Sequence, residues 1–199
     1  MRKRTAKADT KSQPGRLRIV AGKWRSRLLQ IADAEGLRPT SERIRETLFN
    51  WLATRIEGAR CLDLFAGTGA LGLEALSRGA AEVVFVEKSA NAFATLQSSI
   101  ELLEAEGARV LHADAFEFLR RADTGGFDIV FLDPPFADEM LDDLCRLLAG
   151  SSWLASDARI YLEEDRGAPP LELPDGWLIM KTKNAGNVRY SLAGTTNSS

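Results

Sequence analysis

The sequence predicts an α/β fold built on a doubly wound, mostly parallel sheet, and three observations lead there. Short apolar runs at 61–65, 82–87, 109–113, 127–132 and 158–163 alternate with stretches of helical periodicity at about 70–78, 90–104, 115–121 and 139–148. Buried strands separated by amphipathic helices imply parallel pairing through right-handed crossovers. A glycine-rich turn, Gly67-Thr68-Gly69-Ala70-Leu71-Gly72, follows the first of these strands and opens a helix. Finally, Pro169, Pro170 and Pro174 forbid a long helix after the fifth strand. Residues 177–181 and 188–192 flank Asn184-Ala185-Gly186-Asn187, a hairpin turn, so the sheet is expected to finish with an antiparallel pair.

Before that sheet the chain has a different character. Residues 1–15 are rich in Lys, Arg, Ser, Thr and Gln and read as a disordered basic tail. Residues 16–58 read as a small extension made of a hairpin and a helix, and 59–199 as the main domain. In 17–29 two short strands are expected around a turn near Gly22, displaying Arg18, Lys23, Arg25 and Arg27 with Trp24 among them. Basic side chains pair with phosphates and an aromatic face stacks on an unpaired base, so this element reads as RNA-binding. Trp24 packed against the main domain is a compatible alternative. The helix opens at Pro39 and Thr40, with Thr40 or Ser41 as N-cap and Glu42 near the positive end of its dipole. Ile44, Leu48, Trp51, Leu52 and Ile56 form its core stripe, Arg43, Glu46 and Asn50 lie off it, and Gly58 ends it.

Composition narrows the function. The 199 residues are 45% hydrophobic and 27% charged, ordinary values for a globular chain that needs neither disulfides nor metal to fold. Two cysteines, Cys61 and Cys145, form no CxxC, and the lone His112 argues against a metal site or a Ser-His-Asp triad. No apolar run approaches the ~20 residues of a membrane span, and no hydrophobic stretch follows Arg2, Lys3 and Arg4 as a secretory signal requires. A cytoplasmic monomer is expected. The net charge of -2 hides a division: residues 1–45 hold 13 Lys/Arg against four acids, and the remainder holds 13 against 24. An acidic body with a basic N-terminal segment suggests a polyanion partner.

The glycine loop admits two ligands. It fits GxGxxG, and Glu87 ends the next strand twenty positions after Gly67, as the ribose-binding acid of a dinucleotide site does. Yet Asp63 ends the first strand four residues before Gly67, where a carboxylate repels a pyrophosphate and suits a cofactor bearing an ammonium and a sulfonium. S-adenosylmethionine has both groups and no phosphate. Gly67 and Gly69 would let the backbone approach its amino-acid moiety, Glu87 would accept from the ribose hydroxyls, and Asp114 would bond the adenine amine, cap a helix, or do both. Phe65, Lys88 and Ala115 are counted with this cofactor site.

After the fourth strand comes Asp133-Pro134-Pro135-Phe136, at the sheet edge that borders the ligand crevice. The lone pair of an exocyclic base amine is delocalised and nucleophilically poor. An Asp133 carboxylate and the Pro134 carbonyl can accept its two N–H hydrogens and aim the lone pair at a sulfonium methyl. The two prolines stiffen that carbonyl, and Phe136 can stack on the base.

These residues resemble the class I S-adenosylmethionine-dependent methyltransferases, a Rossmann-like fold, and within them the RsmD family of bacterial 16S ribosomal RNA guanine-N2-methyltransferases. The resemblance runs from residue 16 to 192. It rests on Arg18-Ile19-Val20-Ala21-Gly22-Lys23-Trp24-Arg25, on Leu37-Arg38-Pro39-Thr40 leading into Arg45-Glu46-Thr47-Leu48-Phe49-Asn50-Trp51-Leu52, on 62–78, and on the Asp133-Pro134-Pro135-Phe136 motif. It implies a guanine in a loop of the small-subunit RNA near the tRNA-binding region, methylated on an assembled or assembling 30S particle. It also implies that Glu46, Thr47 and Asn50 help close over the cofactor, and Arg38 and Arg43 join the RNA-gripping set. The chain departs from a typical member in its longer basic extension and in Leu64. N6-methylation of adenine in DNA or RNA is the nearest alternative, because the same motif serves any planar amine.

Overall fold

The computed structural model describes residues 15–31, 40–121, 125–135 and 140–195. Nearly all of the expected basic tail, together with Arg38 and Phe136, lies outside them. The elements run β1 (Arg16–Arg18), β2 (Leu28–Gln30), α1 (Glu42–Trp51), β3 (Arg60–Asp63), α2 (Ala70–Ser77), β4 (Glu82–Glu87) and α3 (Ala90–Leu103). They continue as β5 (Ala108–His112), α4 (Ala115–Leu119), β6 (Phe127–Leu132), α5 (Leu141–Ala149), β7 (Leu154–Asp165), β8 (Trp177–Ala185) and β9 (Val188–Thr195).

Seven strands form one sheet in the order β5-β4-β3-β6-β7-β9-β8. The first five of that order are parallel, and β9 pairs antiparallel with both β7 and β8. The α/β expectation therefore holds, including its antiparallel finish. Along each central strand, alternate residues serve opposite faces. Cys61, Ile129, Phe131 and Tyr161 join the core beneath α1 and α2, while Leu62, Val130, Leu132 and Leu162 join the other core with α4 and α5.

The N-terminal hairpin differs from its expectation. Its strands are three residues each, paired Arg16 to Gln30 and Arg18 to Leu28, and a long loop over 19–27 replaces a tight turn. The reason is a remote acceptor. Val20 and Ala21 donate their backbone N–H groups to the two carboxylate oxygens of Glu74, and Lys23 and Trp24 donate theirs to Ser77. Gly22 has φ +84°, and a Cβ there would lie 1.7 Å from the Ser77 carbonyl oxygen, so only glycine allows this approach. Leu17, Ile19, Trp24 and Leu29 consequently share one hydrophobic core with α1, α2 and the sheet.

Ser41 caps α1 through its hydroxyl, which accepts from Ile44 N–H. The helix stops at Trp51, short of the expected Gly58, but of its expected stripe Ile44, Leu48, Leu52 and Ile56 are buried and Trp51 is half-buried against the same core. At the other end of the chain, β8 and β9 extend further than expected, and a two-residue Gly186-Asn187 connection replaces the four-residue turn. Among the described residues no helix is long and apolar enough to cross a membrane.

Candidate active site

The chain proceeds from β3 to β4 and β5 on one side, then returns to place β6 and β7 on the other. A ligand crevice opens outside the carboxyl ends of the strands where that order reverses, here between β3 and β6. Asp63 is the last residue of β3 and Asp133 follows the last residue of β6 by one position.

Asp63 is only 2% exposed. Its Oδ2 accepts from Gly72 N–H at 3.0 Å, tying the strand end to the first turn of α2. Burial pushes its carboxyl up to about 7, with the Glu87 charge adding to the rise and the hydrogen bonds from Gly72 and Phe65 opposing it. The glycines between have distinct reasons. Gly67 and Gly69 have φ of +51° and +79°, and a Cβ on Gly69 would lie 2.5 Å from Leu96 Cδ1. A Cβ on Gly72 would lie 2.1 Å from Phe85 Cε1, so α2 packs hard against β4.

Glu87 ends β4 and reaches back to the same loop. Oε2 accepts from Gly67 N–H at 2.7 Å and Oε1 from Ser89 N–H at 2.6 Å. The Gly67 N–H is therefore committed to the protein, and its glycine serves the turn. Asp114 caps α4 through Oδ1, which accepts from Phe116 and Glu117 N–H, while Oδ2 accepts from Lys88 Nζ at 3.1 Å. Partial burial pushes its carboxyl up, but the Lys88 and backbone hydrogen bonds outweigh that and hold it below the usual range. Lys88, Asp114 and Ala115 thus stand together beside the ends of β4 and β5, with Ala115 buried. Phe65 is half-buried between Asp63 and the glycines.

Asp133 accepts at Oδ2 from the Thr40 hydroxyl at 2.9 Å. This hydrogen bond, across 93 positions, brings the start of α1 over the crevice. Burial raises the Asp133 carboxyl well above its ordinary value, the Glu163 and Asp63 charges add to this, and the Thr40 hydrogen bond resists it. Pro134 is buried and Pro135 exposed. The role expected of Phe136 lies outside the described residues. Glu46 and Asn50 are exposed on α1, and Thr47 donates its hydroxyl to the Arg43 carbonyl.

Of the basic set, Arg18, Lys23, Arg25, Arg27 and Arg43 are exposed, with Arg18 3.6 Å from Glu42. Trp24 is 7% exposed, so of its two expected placements the structure shows the one packed against the main domain and not the displayed ring: its backbone is anchored on Ser77 and its indole sits in the core. Too little of its face remains to stack a base.

Sequence reasoning misses three groups. Thr40 reads in the sequence only as a helix cap. Glu163 and Tyr161, next to Asp133 across the β6–β7 pair, give no signal within an apolar strand. The third is Arg45, 1% exposed, which donates to Glu74 Oε2, to the Thr40 carbonyl and to the Arg18 carbonyl. It ties together α2, the segment that enters α1 and the N-terminal hairpin.

Comparison with known proteins agrees with this fold. The family described as conserved hypothetical protein 95 matches residues 17–194. The chain is 45% identical to ribosomal RNA small subunit methyltransferase D of Escherichia coli strain K12 over 188 residues, covering 94% of this chain and 93% of that one. The solved structure of a candidate methyltransferase of Escherichia coli, yhhF, superposes with a TM-score of 0.85 at 42% identity, covering 92% of this chain and all of that one. At the level of fold alone, SMU.776, a candidate methyltransferase complexed with SAH, superposes with a TM-score of 0.64 at 13% identity, covering 84% of this chain and 53% of that one. With its Rossmann-like sheet, its acidic crevice and these relatives, the chain belongs to the RsmD family and is a methyltransferase.

Proposed function

We propose that this enzyme transfers a methyl group from S-adenosylmethionine to the exocyclic N2 of a guanine in 16S ribosomal RNA, acting on the 30S subunit or a late assembly intermediate. The observation that carries the reading is the pair of carboxylates, Asp63 and Asp133, at the carboxyl ends of adjacent strands where the sheet order reverses. Neither has a Lys or Arg partner among the described residues. Such a crevice disfavours a pyrophosphate and favours a cation. S-adenosylmethionine fits that donor set, and when bound it supplies an electrophilic methyl on a sulfonium.

The chain's own residues do the rest. Thr40 occupies Asp133 Oδ2, which leaves Oδ1 for one hydrogen of the base amine, and the Pro134 carbonyl accepts the other. The amine is thereby held with its lone pair directed along the transfer line. Orientation and fixed acceptors supply the catalysis, without a strong base. Once methylated, the nitrogen is strongly acidic, and Asp133 Oδ1 is placed to receive its proton. Glu87 and Asp114 would hold the ribose and adenine, with Glu46, Thr47 and Asn50 closing from α1. Arg18, Lys23, Arg25, Arg27, Arg38 and Arg43 would engage phosphates.

Nucleoside analysis of small-subunit RNA from cells lacking this protein tests the reading. The expected result is loss of one N2-methylguanosine, restored by the wild-type gene. Loss of an N6-methyladenosine, or no change, would overturn it.

A further inference from the structure

We propose that Glu163 reads the N1–H of the target guanine and thereby selects guanine over bases that lack this donor. The inference rests on the guanine-N2 reading above and assigns the residue that makes it specific. Strands β6 and β7 run parallel, with Phe131 opposite Tyr161 and Leu132 opposite Leu162. One step further, Asp133 and Glu163 stand side by side, with ~4.8 Å between neighbouring strands. By the two-residue alternation both side chains lie on the face that carries Phe131, Tyr161 and α1.

Glu163 is 5% exposed. Its Oε2 accepts from the Tyr161 hydroxyl at 2.6 Å, and Tyr161 is itself fully buried, so one oxygen is fixed by a rigid phenol. The other oxygen has no hydrogen bond among the described residues. Among the described residues, then, Oε1 of Glu163 is left to accept from a donor that a ligand brings beside Asp133. No Lys or Arg pairs with it among the described residues. A carboxylate kept in this place, next to another carboxylate, costs the fold stability that an aliphatic residue would not. A ligand that donates there offsets the cost.

Guanine is such a ligand. Its N2 amine adjoins N1–H, so its edge offers donors side by side, matching acceptors on Asp133, Pro134 and Glu163. The N6 amine of adenine adjoins N1 with a lone pair, which Glu163 would repel. Sites built around a hydrogen bond reject analogues lacking the donor far more strongly than apolar pockets reject a missing methyl.

The test compares ribosomal RNA substrates carrying guanine or 2-aminopurine at the target position. 2-Aminopurine keeps the 2-amino group but has a lone pair at N1. Wild-type enzyme is expected to favour guanine by on the order of 10⁴-fold in kcat/KM. Glu163→Gln keeps an oxygen for the Tyr161 hydroxyl and can offer N–H to N1, so the preference should fall below about tenfold, with unchanged uptake of the methyl donor by calorimetry. A wild-type preference within about threefold overturns the assignment even if the variant fails to fold, and so does an unchanged preference in a folded variant. Wild-type enzyme that methylates both bases alike removes only the Glu163 assignment. Enzyme that places no methyl on guanine removes the guanine-N2 reading itself, and this one with it.

Discussion

At the scale of single residues, Asp133 is held through one carboxylate oxygen by the Thr40 hydroxyl. Thr40→Val removes the hydroxyl that occupies Oδ2 while keeping the side chain's size. Turnover should fall about tenfold, equivalent to the ~1.4 kcal/mol of one orienting hydrogen bond, with cofactor affinity unchanged; steady-state kinetics with calorimetry separates the two. Asp63 makes a pH prediction. Its carboxyl sits near 7 in the folded protein against 3.8 ordinarily, so ionising it costs on the order of 4 kcal/mol. Because its folded-state value is raised, the native state holds a proton that the unfolded chain releases between about pH 4 and 7. Its contribution to stability is therefore lost as pH rises through that window and is constant above it. A cationic cofactor reverses the preference. Binding should release a proton below pH 7, seen as buffer-dependent heats in calorimetry, and should raise Tm more at pH 8 than at pH 6. Asp63 and Asp133 were legible in the sequence because each ends a strand at a recognisable motif. Thr40 and Glu163 were not, since their roles depend on a hydrogen bond across 93 positions and on the register of β6 with β7.

At the scale of elements, α2 is the junction. Glu74 is fully buried within it, yet accepts from Val20 and Ala21 N–H, from Arg45 and from Arg78. Glu74→Ala strands the Arg45 guanidinium and two backbone donors, and should cost about 3–5 kcal/mol in urea unfolding. Cofactor affinity in the fraction that remains folded should be kept, since Glu74 faces the hairpin and α1. Gly72→Ala acts on the other side of the same helix. Its Cβ meets the Phe85 ring and must push α2 away from β4, for a loss of about 1–3 kcal/mol. The strand–helix alternation was readable because buried parallel strands are continuous apolar runs bounded by turns. The hairpin loop was not, because the backbone donors of Val20 and Ala21 find their acceptor more than fifty residues away. Local pattern favours a tight turn at Gly22, and that distant carboxylate opens it.

Across the whole molecule, the basic N-terminal segment and the acidic body are joined by one core. Leu17, Ile19, Trp24 and Leu29 belong to it, so deleting residues 1–30 would unfold the protein's edge as well as remove charge. The cleaner experiment substitutes Arg18, Lys23, Arg25 and Arg27 with Gln. All four are exposed, so the fold should persist while RNA affinity falls. The slope of log K against log salt should flatten by up to about 0.9 for each phosphate no longer neutralised. An unchanged slope would remove these side chains from the RNA surface. The charge division and the packed alternative for Trp24 were visible in the sequence, but the burial of Arg45 was not, because it is claimed by a remote partner on α2.

The most direct measurement is methyl transfer to purified 30S subunits that lack the modification, by wild-type protein and by Asp133→Ala, with donor binding followed in parallel. Wild-type protein should form N2-methylguanosine, and the variant should lose at least about a hundredfold in turnover while binding S-adenosylmethionine as before. Undiminished transfer by a folded Asp133→Ala protein would contradict the account.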